Sequence, residues 1–459
     1  MIRDSEKWLT SWYIDGARKP LVLRGARQVG KSTLVRNFAE SKGLILHEIN
    51  LERQLQLRSL IQNFRVDSFI NEVQLLCKKG SLNSPHSLLF IDEIQAIPEA
   101  LGFLRYLQED KPQLPVVCAG SLLEFALQDK DVAFSMPVGR VFYHFLGPCT
   151  FFEFLKALGK DSLLSYLSEY QITQNFSPTA HLELSEILRT YLLIGGMPEA
   201  LAEYLRTQDF ESARKILGSI VLTYRDDFLK YAKKTSLINL YKVLDYLPRG
   251  IAKKVKYVNI DEHARSLELK KAVTLLSMAG IICPAYSSTA TIPPLSSAIN
   301  EKAYKLYALD CGILNALSRT HSTTPSEVLH NEDDLAEQFI AQHLRYLGPN
   351  YLPPELYYWL REGKSNNAEI DFLFQHKNTI IPIEVKSGST GKLRSLHQYI
   401  HKTGTRLAVR FDSNPPSIQT IRVSLPDGVT NDTFQLLSLP LYMIGELDRI
   451  LGTLHKIIV

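Results

Sequence analysis

Leu23-Arg24-Gly25-Ala26-Arg27-Gln28-Val29-Gly30-Lys31-Ser32 is the stretch that decides the fold. From Gly25 to Ser32 it spells a complete G-x-x-x-x-G-K-[ST] phosphate-binding loop. The apolar run Pro20-Leu21-Val22-Leu23 leads into it, and a helix-compatible stretch from Lys31 to Lys42 leads out. Glycines let the backbone turn tightly and aim its N–H groups at phosphate oxygens, and the helix N-terminus adds its positive end. Gly25, Ala26, Arg27, Gln28, Val29, Gly30, Lys31, Ser32 and Thr33 are therefore the expected nucleotide contacts. Lys31 is assigned to the β- and γ-phosphates and the Ser32 hydroxyl to Mg²⁺.

Downstream, Leu88-Leu89-Phe90-Ile91-Asp92-Glu93 reads as a strand buried on both faces of a parallel sheet, with two carboxylates at its end. That end is where ligands bind in an open α/β sheet. Asp92 is expected to hold Mg²⁺ through water, and Glu93 to orient and polarise the attacking water. The two motifs together imply ATP binding and hydrolysis. A further strand, Pro115-Val116-Val117-Cys118-Ala119, runs into Gly120-Ser121. Ser121 has two readings, a γ-phosphate sensor or only an N-cap for the helix that follows. Arg140 also has two, a cation that stabilises transition-state charge or a surface ion pair.

With 459 residues, several domains are expected. Hydrophobic residues make up 45% and charged ones 22%, which fits a globular chain and excludes a disordered one. No apolar run approaches 18 residues, and Met1-Ile2-Arg3-Asp4-Ser5-Glu6-Lys7 lacks an apolar signal core. Five scattered cysteines without a C-x-x-C pair read as thiols in a reducing cytoplasm. The expectation is a cytoplasmic protein with no membrane partner. Net charge is +4, but Arg214 to Lys271 carries 14 Lys or Arg against 6 Asp or Glu. A basic segment of that kind is the footprint of a phosphate backbone, or merely a solvated face.

Around these motifs the expected architecture is multidomain α/β. Residues 1–150 form the P-loop domain, with an N-terminal helix bearing Trp8, Leu9 and Trp12. Residues 151–229 form a helical extension interrupted at Ile194-Gly195-Gly196-Met197-Pro198. Residues 230–319 have the order of a winged helix: three helices, then a hairpin with Ser287–Ala298 in or near the wing. It serves DNA reading or packing between domains. Thr320–Pro325 is the expected linker into a last domain, 326–459.

That last domain carries a second constellation. Ala368-Glu369-Ile370-Asp371-Phe372-Leu373-Phe374 alternates as a strand and pairs naturally with Ile380-Ile381-Pro382-Ile383-Glu384-Val385-Lys386. Alternation puts Glu384 and Lys386 on one face, and Asp371 joins them from the neighbouring strand. Two carboxylates can chelate Mg²⁺ and the lysine can stabilise charge on a phosphodiester, with Glu337 as a further acid. This is the PD-(D/E)xK nuclease arrangement. A structural ion pair, or a nuclease-like fold without activity, is the alternative.

Together, Leu23 to Ser32, Ile91-Asp92-Glu93-Ile94-Gln95, Gly195-Gly196-Met197-Pro198 and Ile383-Glu384-Val385-Lys386-Ser387-Gly388 resemble a prokaryotic family of AAA-type ATPases. That family has a C-terminal module of unknown function. The resemblance implies an additional-strand P-loop core, a winged helix and a restriction-endonuclease-like α/β domain, with ATP and Mg²⁺ as cofactors. The leading expectation is an ATPase whose nucleotide state controls a DNA-directed C-terminal half. Its rival is a non-catalytic switch that binds DNA or a protein partner through the winged helix and an inactive nuclease-like domain. A small-molecule kinase fits poorly, because no lid or acceptor-binding signature is present.

Overall fold

Five short segments become the strands of a first sheet: β1 (Leu21–Arg24), β2 (Ile45–Asn50), β3 (Ser87–Asp92), β4 (Val116–Ala119) and β5 (Phe142–Phe145). They come from a computed structural model that describes residues 2–120, 139–231, 234–318, 332–362, 367–388, 393–425 and 428–458. All pairings in this sheet are parallel and the order is β2-β3-β4-β1-β5. The inserted β4 separates the loop-bearing β1 from the acid-bearing β3. Every residue of β3 is buried, as a strand covered on both faces requires. The helices Val66–Cys77 and Ala100–Asp110 cover one side through Phe69, Val73, Phe103, Leu104 and Leu107. The N-terminal helix Ser5–Ile14 buries Leu9 and Trp12, each worth roughly 1.5–3 kcal/mol. The Trp12 indole N–H donates to Lys19 O at 2.9 Å.

This sheet belongs to a unit made of Met1–Pro148, Val273–Ile281 and Pro349–Pro353. The remainder, Cys149–Ala272, Ile282–Gly348 and Pro354–Val459, forms a second unit. Its helices begin at Phe151–Ala157, capped by Thr150: the Thr150 hydroxyl accepts from Glu153 N while the Glu153 carboxylate accepts from Thr150 N. The helix Pro178–Ile194 stops at Gly195, whose φ of 70° suits glycine. Gly196 has no room for a side chain, since a Cβ would lie 2.1 Å from Cys149 O.

Eight strands complete this unit: β6 (Ile282–Ser288), β7 (Ile299–Ala308), β8 (Leu356–Arg361), β9 (Ala368–His376), β10 (Thr379–Val385), β11 (Leu407–Asp412), β12 (Ser417–Leu425) and β13 (Gly428–Pro440). They form one mixed sheet in the order β12-β13-β11-β10-β9-β8-β6-β7. The β9–β10 hairpin pairs antiparallel with Phe372 opposite Ile383. The hairpin read from sequence as a wing is β6–β7, and β6 also pairs with β8 in parallel. It therefore forms the edge of the C-terminal sheet. The three helices ahead of it are Lys234–Gly250, Tyr257–Ile260 and Ser266–Met278. Ser121 and the expected linker Thr320–Pro325 lie outside the described residues. All five cysteines are free thiols. Among the described residues no helix is long and apolar enough to cross a membrane.

Candidate functional site

The phosphate loop leaves the carboxyl end of β1 with Gly25, Gln28 and Gly30 at φ of 145°, 65° and 90°. Alternating left- and right-handed residues turn successive N–H groups to one concave side, which suits an anion. A Cβ on Gly25 would lie 2.1 Å from Leu146 O, so only glycine fits there. Lys31 is 8% exposed, and its Nζ donates to Gly25 O at 2.9 Å and Ala26 O at 2.8 Å. Its ammonium is thus folded across the loop on neutral acceptors. Ser32 Oγ, in the first turn of the helix Lys31–Ser41, donates to Asp92 Oδ2 at the end of β3 at 2.8 Å. Burial raises the Asp92 pKa, the Ser32 hydroxyl opposes that, and the Glu93 charge adds to it.

Glu93 follows in the left-handed region at φ 53°, which costs a non-glycine residue on the order of 1–3 kcal/mol. Its Oε2 accepts from Gln95 Nε2 at 2.5 Å. The other amide atom, Gln95 Oε1, is buried without a hydrogen-bond donor among the described residues. A Cβ on Gly120 would lie 2.5 Å from it. Gln95 was missed as a site residue in the sequence, although it follows the acid pair by two positions. The Ser32 hydroxyl and the Asp92 carboxylate are hard oxygen donors, which fits Mg²⁺.

Arg140 is not brought to this loop. It precedes β5, which runs parallel to β1, so it lies at the amino edge of the sheet while the loop leaves the carboxyl edge. There it faces Glu109 at 3.5 Å with half its side chain exposed. The surface ion pair is what the structure contains.

At the β9–β10 hairpin the sequence-marked residues do meet, but around a residue that was not marked. Lys386 Nζ lies 2.9 Å from Glu384 Oε1. Asp371 Oδ2 accepts from Val385 N at 2.7 Å. Lys305 of β7, 1% exposed, reaches Glu369 at 2.6 Å, Glu337 at 2.9 Å and Asp371 at 3.8 Å. The Tyr307 hydroxyl donates to the same Glu337 oxygen, and the Tyr358 ring lies 5.4 Å from the ammonium. Burial alone would lower the Lys305 pKa, but the charges of Glu337, Asp371 and Glu369 outweigh it and push it up. Burial pushes Glu337 up to about 7 against the pull of Lys305. It pushes Glu384 up to about 8, helped by the Asp371 charge and opposed by Lys386. Glu384 Oε2 is buried with no hydrogen-bond partner among the described residues.

A shared divalent ion for Asp371, Glu384 and Glu337 was the expectation. The cation among the acids is instead the Lys305 ammonium. Among the described residues no group of three or more His, Cys, Asp or Glu is arranged to hold a metal. The Lys305 ammonium would repel a metal that approached Glu337 and Asp371, while Glu384 meets Lys386 and keeps one buried oxygen without a partner among the described residues.

Part of the basic segment is answered by its own neighbourhood. Lys242 meets Asp261 at 2.6 Å, Lys253 meets Asp334 at 3.4 Å, and Lys271 meets Glu268 at 2.9 Å. Lys254 pairs with Glu362, and Arg225 with Asp245.

Comparison with known proteins agrees with the first of these sites. Residues 17–155 match a family model described as an AAA domain. Residues 185–324 and 332–424 match models described as domains of unknown function, DUF8612 and DUF4143. No curated protein matches the chain. Among solved structures, the ORC1 protein of Aeropyrum pernix in complex with DNA shares 13% identity. The match covers 72% of this chain and 95% of that one, with a TM-score of 0.29. The N-terminal segment is an AAA-type P-loop domain.

Proposed function

We propose that the chain is a Mg²⁺-dependent ATPase whose nucleotide state governs its C-terminal half. The observation that carries this is the Ser32–Asp92 hydrogen bond, which joins the phosphate loop to the acid-bearing strand. In this reading the loop amides and Lys31 bind the β- and γ-phosphates, with Thr33 beside them. Ser32 and Asp92 hold Mg²⁺, which when bound neutralises phosphate charge. Glu93 orients the attacking water, and Gln95 holds its carboxylate in place. Positioning and charge stabilisation suffice for slow phosphoryl transfer to water.

For the C-terminal half, the Lys305 contacts favour the non-catalytic reading over the nuclease one. Two lysines among these acids offset part of the charge that hydrolysis of a phosphodiester would use to recruit a metal ion. This half then acts as a binding module for DNA or a protein partner, controlled by ATP. One experiment tests both parts: ATP turnover with Mg²⁺, with and without duplex DNA, alongside cleavage of single- and double-stranded DNA and RNA. Turnover without cleavage is expected. Cleavage lost in Asp371→Ala would restore the nuclease reading, and no turnover at all would remove the ATPase one.

A further inference from the structure

Arg3 precedes both the phosphate-loop motif and the segment that matches the AAA model. Its side chain is nevertheless buried, at 7% exposure, against the loop itself. Nη1 donates to Val29 O at 2.9 Å, while Nη2 donates to Gly147 O at 2.8 Å and Pro148 O at 3.3 Å. Val29 stands between two left-handed residues, Gln28 and Gly30. A loop that turns its N–H groups toward an anion must leave carbonyls on its outer side, and a buried carbonyl needs a donor. For Val29 that donor is the guanidinium.

The partners on the other side of the fork are equally placed. Leu146 N donates to Arg24 O at 2.8 Å, at the point where β1 enters the loop. The Leu146 carbonyl is the atom that bars a side chain from Gly25. Residues 146–148 therefore brace the start of the loop directly, and brace its Val29 end through Arg3. Backbone bonding of Glu6 N to Arg3 O ties the arginine to the first turn of the N-terminal helix. A planar fork with donors on two nitrogens can hold both sides at once, which a lysine ammonium does less rigidly.

We infer that Arg3 is a positioning residue of the nucleotide site. It fixes the outward carbonyl of Val29 so that the loop amides are already aimed when phosphate arrives. It also places a buried positive charge behind the loop. The role concerns nucleotide affinity more than the chemical step, because Arg3 touches the loop from the side away from the phosphates.

The inference rests on the nucleotide reading, and the test keeps the two apart. A fluorescent ATP analogue is titrated with Mg²⁺ into the full chain as wild type, Arg3→Lys and Arg3→Ala, and KM and kcat for ATP are measured on each. Wild-type protein that binds no nucleotide defeats the earlier reading. With wild-type binding established, Arg3→Ala is expected to bind about tenfold more weakly. Its KM should rise by a similar factor with kcat nearly kept, Arg3→Lys should fall between, and millimolar guanidinium chloride should restore affinity to Arg3→Ala. Unchanged affinity in Arg3→Ala overturns the inference. So does an equal fall in affinity and kcat that guanidinium leaves untouched, since that marks a merely structural loss. If Arg3→Ala does not fold, Arg3→Lys decides: a raised KM at kept kcat supports the role, and an unchanged KM ends it.

Discussion

Strands β3 and β10 end alike, each with carboxylates at the close of a buried apolar run, yet their acids meet different partners. On β3, Asp92 meets a hydroxyl, and the nearby Lys31 ammonium donates to carbonyls of the loop, Gly25 O and Ala26 O among its partners. A phosphate can displace such acceptors, because it offers the ammonium a full negative charge in their place. On β10, Glu384 meets Lys386, and the neighbouring acids share the buried Lys305. That cation is covalently part of the chain and cannot be exchanged. An acid at a strand end is therefore a ligand site only where the fold has left its charge to be met from outside.

The largest expected effects lie at the exchangeable site. Lys31→Ala should reduce ATP affinity strongly, since it removes the ammonium folded over the loop. Glu93→Gln should keep affinity and slow turnover roughly 100-fold or more, the usual contribution of a group that activates water. Single-turnover hydrolysis beside equilibrium binding separates the two. A Gln variant that turns over at the wild-type rate would strip Glu93 of its role and blur the contrast between the strands.

At the internally neutralised site the effect should fall on stability instead. Lys305→Ala leaves the largely buried Glu337 and Asp371 and the partly exposed Glu369 without their shared cation, and breaking a buried pair typically costs about 3–5 kcal/mol. Thermal unfolding should show that loss. Millimolar Mn²⁺ should recover part of it, because the vacated position is then a divalent site. Wild-type protein without nucleotide should melt at the same temperature in Mn²⁺ and in EDTA. A wild-type melting temperature that rises with Mn²⁺ and loses that rise in Asp371→Asn would mean a metal competes with Lys305 after all.

The pH dependence is smaller and has a definite sign. Burial raises Glu337 and Glu384 well above the ordinary 4.5 in the folded chain. The fold keeps protons that the unfolded chain has released, so their stabilisation is complete below about pH 4.5 and is lost as pH rises through about 8. Glu384→Gln fixes the neutral form. Its melting temperature should decline less than that of wild type between about pH 5 and about pH 8.5. A steeper decline in the variant would show that the ionised carboxylate is the native species.

The difference between the sites also marks what the sequence could reveal. The phosphate loop is legible because all its contacts lie within one short segment, and Asp92 because an acid ending a four-residue aliphatic run is a local signal. Lys305 is not local: it comes from β7, far upstream of Asp371 and Glu384, and reaches them only because β6–β7 joins the C-terminal sheet. Its one signal was a lysine inside Ala303-Tyr304-Lys305-Leu306-Tyr307, in strand alternation with Tyr307. A charge on the same strand face as a buried tyrosine asks for partners elsewhere in the fold. The parallel β6–β8 pairing that joins the hairpin to the C-terminal sheet is long-range too, and no periodicity encodes which strand a hairpin will adopt as neighbour. Arg140 was readable in principle, since a residue just before a parallel strand must lie at the edge opposite the loop.

The smallest effect concerns the basic segment, where the same distinction between met and unmet charge applies. Lys253 and Lys254 already face Asp334 and Glu362, while Lys256 is exposed and has no ion pair among the described residues. Exposed pairs of this kind are worth about 0–1 kcal/mol, so they are weak but still screen the lysines from a distant phosphate. If this half binds DNA, the contribution of each lysine appears in the dependence of affinity on salt, through counterion release. Lys256→Glu should then flatten the slope of log K against log salt by roughly one unit, and Lys253→Glu with Lys254→Glu by less per residue. Fluorescence anisotropy on a short duplex across a salt series reads both. Equal flattening from all three lysines would mean that DNA competes the acids away from their partners. No change from any of them would take this surface out of DNA contact and leave a protein partner as the ligand of the C-terminal half.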